Sequence, residues 1–432
     1  MPPSSGHTGL MSLILLVLGL LGVVHAANAL APRQRPTAVF VWSFFSSWMT
    51  IELIWHHLVF GVVATAFLIA GGALDQTAGV VGLVLMGIAL VLMAQIAWTT
   101  RRTVVVMRTS LADLDPGPDA QRFPRSHVVF PFLMGRRRGV RVERNISFAR
   151  EGGKTLRLDV TVPSAPVPGG GSRRPALMQV HGGGWVIGDK REQGLPLLGH
   201  MAAQGWVGFN VNYRLSPGVG FPEHLVDLKR ALAWIRAHAD DYDVDPDFIC
   251  VTGGSAGGHL TALMALTANE ARYQPGFETA DTSVAAAVPF YGIYDFTPDG
   301  EFGRDPEVYR RFLEPIVMKA FVSDEPEKFK DASPLHHLRT DAPPFLVVHG
   351  DRDTLAPVGD ARTFAARLRA VSTQPVLYAE MHGAQHAFEI FPSARAVRVI
   401  EGVERFLSTL WEGRQHSGAP AAEQAIEDAL TS

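Results

Sequence analysis

Hydrophobic and polar positions are spread very unevenly along this chain of 432 residues. Residues 10–30 and 78–98 are apolar almost throughout and carry no charge. Each is close to the roughly 20 residues that a helix needs to cross a bilayer core. Between them, residues 39–73 are apolar but interrupted by Glu52, His56 and His57. The uninterrupted part, 53–73, reads as a further span. Residues 39–50 are too short to cross and rich in Trp and Phe, which suits an interfacial or bundle-packed helix. This predicts three spans, or four if 39–50 also crosses. Ala27-Asn28-Ala29 resembles a signal-peptide cleavage site, but no Lys or Arg precedes the first apolar run and more spans follow, which argues against removal. Glu52 and His56 are placed at a membrane interface in preference to an intramembrane pair.

From residue 140 the pattern changes. Residues 140–148 and 156–162 alternate as strands do, and Gly152-Gly153 between them marks a hairpin. Residues 163–175, with Gly169-Gly170-Gly171, form a surface loop. Short apolar runs at 176–180, 206–213, 248–252, 284–290, 345–349 and 376–380 read as buried strands. Helical spacing appears at 221–238, 258–268, 360–370 and 393–411. Strands alternating with helices imply an α/β fold, a mostly parallel sheet covered on both faces. Residues 296–338, aromatic and charged without a clear strand, read as a small helical cap inserted between two sheet strands. The predicted organisation is a transmembrane helical region over 1–100, a linker over 101–139, an α/β body over 140–413 and a disordered tail over 414–432. The linker holds Asp115-Pro116-Gly117-Pro118 and the basic run Arg136-Arg137-Arg138, suited to solvent or to anionic headgroups.

Charge sharpens this division. Of 39 basic and 42 acidic residues, the first hundred positions hold four: Arg33, Arg35, Glu52 and Asp75. A near-neutral chain has no basic footprint for nucleic acid. The single cysteine, Cys250, excludes an intrachain disulfide framework and any cysteine-clustered metal site; core packing is its expected role. Arg33 and Arg35 follow the first span, and Arg101, Arg102 and Arg108 follow the last. By the positive-inside rule the body is expected in the cytoplasm, the N-terminus outside, and the protein multi-pass in the membrane.

Candidate chemistry lies in four places. Gly253-Gly254-Ser255-Ala256-Gly257 falls between an apolar run and a helix, where a sharp turn exposes a serine oxygen beside helix N-terminal amides. His181-Gly182-Gly183-Gly184-Trp185 ends an earlier strand. Its glycines let backbone N–H groups approach an oxyanion, so Gly183, Gly184 and Ala256 are the candidate oxyanion hole. His181 is read as a loop-ordering partner. His349-Gly350-Asp351-Arg352-Asp353 follows a third strand; Asp353 is the candidate acid, and Asp351 ties the turn. Gly383-Ala384-Gln385-His386 follows the last strand and supplies the candidate base, His386, in preference to His382. The order Ser255, Asp353, His386 is that of α/β-hydrolases.

These motifs, in this order and spacing, resemble the α/β-hydrolase superfamily and, within it, the hormone-sensitive-lipase-like bacterial esterases and lipases. Asn212-Tyr213-Arg214-Leu215-Ser216-Pro217, Phe221-Pro222 and Asp227 are similar to that family's strand-to-helix segment. The acid motif resembles the HGDxD type of feruloyl-esterase-like and prenylcysteine-methylesterase-like branches. The resemblance covers about 140–410 and implies Ser255 as nucleophile, Asp353 as acid, His386 as base, and no metal or organic cofactor. The implied function is a membrane-anchored serine carboxylesterase or lipase acting on a small-molecule or lipid ester. A formamidase, amidase or serine peptidase would use the same triad, and a membrane-tethered binding module with an inactive fold is the non-enzymatic reading.

Overall fold

The computed structural model describes residues 5–33, 37–114, 120–132, 137–164, 173–304 and 306–431. Arg35, the 115–118 turn, Arg136 and the 169–171 glycines lie outside them. The apolar N-terminal segments form helices α1 (Ser5–Leu30), α2 (Thr37–Glu52), α3 (Ile54–Ala70) and α4 (Thr77–Arg101), and α5 (Thr103–Ser110) prolongs α4. Two apolar stretches, Gly6–Leu30 and Thr77–Ser110, are long enough to cross a bilayer. α2 and α3 form a pair bent by 83°. α1 and α4 run parallel, since Gly9 meets Gln76, Gly19 meets Gly82 and Gly22 meets Ala89. A Cβ on Gly19 would lie 2.6 Å from the Gly82 carbonyl oxygen, so these backbones touch only because both residues are small. α3 returns in the opposite sense, with Gly61 against Leu90 and Gly71 against Met11.

The stretch predicted as a linker is instead wound onto the body. α5 and α6 (Arg125–Val129) lie in it. Met107, Leu111 and Phe123 are buried with Leu377 and Val403 of the body, and the Ser110 hydroxyl donates to the Tyr378 carbonyl at 2.9 Å. Amphipathic spacing over so few residues is too short a signal to separate a docked helix from a connector.

The body opens with β1 (Val140–Glu151) and β2 (Lys154–Pro163), paired antiparallel. Glu151 faces Lys154, and the turn between them has Gly152 and Gly153 at φ +54° and +77°, the left-handed pair that a tight hairpin needs. Then follow β3 (Arg174–Val180), α7 (Leu195–Ala203), β4 (Val207–Val211), α8 (Glu223–Ala237), β5 (Val244–Gly254), α9 (Ala256–Leu266) and β6 (Ala287–Phe290). The helical insert holds α10 (Pro306–Val308), a π-helical stretch Tyr309–Met318 and α11 (Pro326–Asp331). β7 (Phe345–Gly350), α12 (Val358–Val371), β8 (Val376–Met381) and α13 (Ala396–Thr431) close the chain. The segment predicted as a disordered tail from 414 therefore continues the last helix. Its Ala-Ala-Glu-Gln-Ala run is made of strong helix formers.

Eight strands form one sheet in the order β1-β2-β4-β3-β5-β6-β7-β8. The β1/β2 and β2/β4 pairs are antiparallel and the rest are parallel. Strand periodicity separates two cores. Met178, Val251 and Val347 face one side with Leu228, Leu260 and Phe364. Leu177, Cys250 and Leu346 face the other with Leu198, Met201 and Phe406. Both faces being covered is why β3 and β7 are buried along their whole lengths.

Candidate active site

The parallel strands end on one edge of the sheet, and every candidate residue sits on a loop leaving that edge. β5 runs into α9 through Ser255, whose backbone lies at φ +59°, ψ −122°. A non-glycine residue held there is strained by roughly 1–3 kcal/mol. The elbow is locked on both sides: Ser255 N–H donates to the Phe290 carbonyl (3.0 Å), and the Ser255 carbonyl accepts from His259 N–H (2.9 Å). Only small neighbours fit, since a Cβ on Gly257 would lie 2.2 Å from the Val180 carbonyl oxygen. Ala256 opens α9, where first-turn amides have no acceptor inside the helix.

The glycine loop after β3 lies on this elbow. A Cβ on Gly182 would come within 3.0 Å of the Ser255 Cβ. Gly183 and Gly184 adopt φ +114° and +58°, and Phe312 of the insert packs over Gly184. His181 is buried, hydrogen-bonded through Nδ1 to the Gly182 carbonyl (2.8 Å) and stacked on Tyr213 at 4.5 Å. It orders the loop. Trp185 Nε1 donates to His259 Nδ1 (3.2 Å), and His259 Nε2 meets the Ala332 carbonyl (2.7 Å). Burial pulls the His259 pKa down to about 4, so a neutral ring ties the glycine loop to α9 and the insert. Beyond it, Arg214 pairs with Asp227 through Nε (2.8 Å) and Nη2 (2.7 Å).

Asp353 and His386 come together in the loops after β7 and β8, with Asp353 Oδ2 2.7 Å from His386 Nδ1. The other carboxylate oxygen accepts from the N–H groups of Leu355 and Ala356, both at 2.8 Å. Burial alone would raise the Asp353 pKa; the His386 and His349 imidazoles outweigh it and hold the carboxyl well below its usual range. Asp351 instead accepts from Gly383 N–H (2.7 Å) and meets His382 Nδ1 (3.2 Å), a turn tie. The Tyr291 ring lies 4.4 Å from the His386 ring. It also abuts Gly254, where a Cβ would lie 2.6 Å from the Tyr291 hydroxyl. One aromatic ring therefore touches both the serine elbow and the histidine.

Several neighbours of the site have no motif of their own. Gln385 Oε1 accepts from Thr354 N–H (2.8 Å) and His386 N–H (3.0 Å), joining the two loops. Tyr291 donates to the buried Glu389 carboxylate. Glu52, expected from the sequence at a membrane interface, faces protein and not solvent. It is buried against Arg395, with Oε1 3.0 Å from Nε. A lone carboxylate in an apolar stretch signals a partner, but that partner lies 343 residues away, beyond any spacing argument.

Comparison with known proteins bears on the fold and the family. The BD-FAE family model matches residues 158–368. The probable carboxylic ester hydrolase LipM of Mycobacterium tuberculosis is 50% identical over 245 residues, 57% of this chain and 56% of that protein. An arylesterase of Saccharolobus solfataricus is 30% identical over 235 residues, 52% of this chain and 72% of its own length. The chain belongs to the hormone-sensitive-lipase-like esterases of the α/β-hydrolase superfamily. The family resemblance extends to solved structures. A thermophilic esterase from Thermogutta terrifontis superposes with a TM-score of 0.52 at 26% identity, covering 62% of this chain and 90% of that one. The matched region spans little more than half the length of the mycobacterial relative, and the family-model match begins at residue 158, within β2 of the body.

Proposed function

We propose that the protein is a membrane-anchored serine hydrolase of carboxylic esters. The observation that carries the reading is the 2.7 Å Asp353–His386 pair, joined through the Tyr291 ring to the strained elbow that holds Ser255. His386 takes the Ser255 proton as the oxygen attacks the ester carbonyl. The amides of Gly183, Gly184 and Ala256 stabilise the oxyanion, and Asp353 orients the imidazolium. The alcohol leaves with the proton from His386. Water activated by the same histidine then cleaves the acyl-enzyme and restores Ser255. The esterase names of the relatives support this substrate class.

The anchor reading rests on α1, α3 and α4 as spans, with α2 lying along the surface beside the body. Parallel α1 and α4 bring their C-terminal ends, with Arg33, Arg101, Arg102 and Arg108, to the side of the body; the positive-inside rule makes that side cytoplasmic. The test is Ser255→Ala in the full chain. Turnover of short p-nitrophenyl esters and fluorophosphonate labelling should both disappear. Full activity in that variant refutes the assignment.

A further inference from the structure

The catalytic loops lean on the apolar helices. The segment 382–395 carries His386, and α2 holds it at three points. Ser47 Oγ accepts from Gln385 Nε2 at 3.1 Å. Trp48 Nε1 donates to the Ala387 carbonyl at 2.9 Å, and its ring packs 5.3 Å from Phe391. Glu52, at the bend after α2, accepts from Arg395 Nε at 3.0 Å and from the Ser393 hydroxyl. Arg395, fully buried, spends its other nitrogens on the carbonyls of His382 (2.7 Å) and Gly383 (3.3 Å). Both ends of the histidine loop are therefore tied to one helix. The acid loop is tied as well: Gln385 receives Thr354 N–H, and Arg352 Nη1 reaches the Ala29 carbonyl at the end of α1 (3.1 Å).

A plain anchor has no use for such contacts. A buried Glu–Arg pair adds little net stability, because desolvation offsets most of its attraction. What it fixes is geometry, and hydrolysis is sensitive to geometry: a misplacement of about 1 Å can cost roughly 100-fold in rate.

We propose that α2 is a positioning element of the hydrolytic site, in which Ser47, Trp48 and Glu52 hold the 382–395 loop so that His386 stays aligned with Asp353 and Ser255. This rests on the serine-hydrolase reading given above. The test uses the full chain in lipid nanodiscs with p-nitrophenyl acetate, normalised to folded protein by size exclusion and thermal melting. Trp48→Phe removes the indole N–H donor and keeps a smaller aromatic ring; Glu52→Gln removes the charge and keeps the shape. Both should lower kcat by about tenfold with KM within about twofold, and slow fluorophosphonate labelling in the same proportion. Glu52→Asp, which keeps the charge, should recover most of the lost kcat. If Glu52→Gln does not fold, Trp48→Phe and Ser47→Ala carry the test. Normal kcat and labelling in the folded variants overturn the proposal, as does a loss that only tracks the folded fraction. Activity in Ser255→Ala would overturn the serine reading itself. An inactive Ser255→Ala alongside unaffected α2 variants overturns this inference alone.

Discussion

Replacing Glu389 by Gln should raise stability at alkaline pH and leave it nearly unchanged in acid. Burial pushes the Glu389 pKa up to about 7, against the pull of the Tyr291 hydroxyl and His386 and with the repulsion of Glu52 added. An unfolded carboxyl titrates near 4.5. The folded group thus prefers its proton, and its ionisation opposes folding. Below about 4.5 both states are protonated and there is no penalty. The penalty grows as pH rises through 4.5 to 7 and is complete above 7. The difference of about 2.5 pKa units amounts to about 3 kcal/mol. For a body of this size, at roughly 2 °C per kcal/mol, the variant should melt about 6 °C above wild type at pH 8. Any cost of the amide's extra N–H groups is independent of pH, so the diagnostic quantity is the change in the difference between pH 4.5 and pH 8. Differential scanning fluorimetry in detergent at one fixed scan rate reads it. A Tm difference that does not vary with pH would refute the reasoning.

Two further substitutions probe the site directly. Asp353→Asn keeps the shape but presents an amide to His386 Nδ1; kcat for p-nitrophenyl acetate should fall roughly 10³- to 10⁴-fold with KM little changed, measured by steady-state kinetics. Gly183→Ala would hold a Cβ at φ +114° only 2.1 Å from the Ile187 carbonyl oxygen; it should cost roughly 1–3 kcal/mol of stability. It should also lower kcat about 100-fold by displacing a proposed oxyanion donor; thermal melts and the same kinetics would detect the two effects.

What the sequence disclosed and what it hid follow a physical division. Ser255, Asp353 and His386 each sit just beyond an apolar strand, and a parallel sheet gathers the ends of its strands on one edge, so local pattern located them. The choice of Asp353 over Asp351 and His386 over His382 had only loop position behind it. In the structure the pairs sort as Asp353 with His386 and Asp351 with His382. α7 went unread because its nine residues are broken by Gly199 and His200. Glu52, Trp48 and Gln385 were illegible as a group, since their contacts join positions more than 300 residues apart. Such contacts arise from how two regions pack together, and nothing in either local pattern encodes the pairing.

Cys250 lies fully buried in the middle of β5, and it is the chain's single thiol. Burial also drives its pKa far up, which leaves almost no thiolate to react. The native protein is therefore a blank background for thiol chemistry. A cysteine placed at Gln76, in the turn before α4, or at exposed Glu192 on the body would be the sole reactive site. A membrane-impermeant maleimide applied to sealed vesicles would then report on which side of the bilayer each end of the helical region stands.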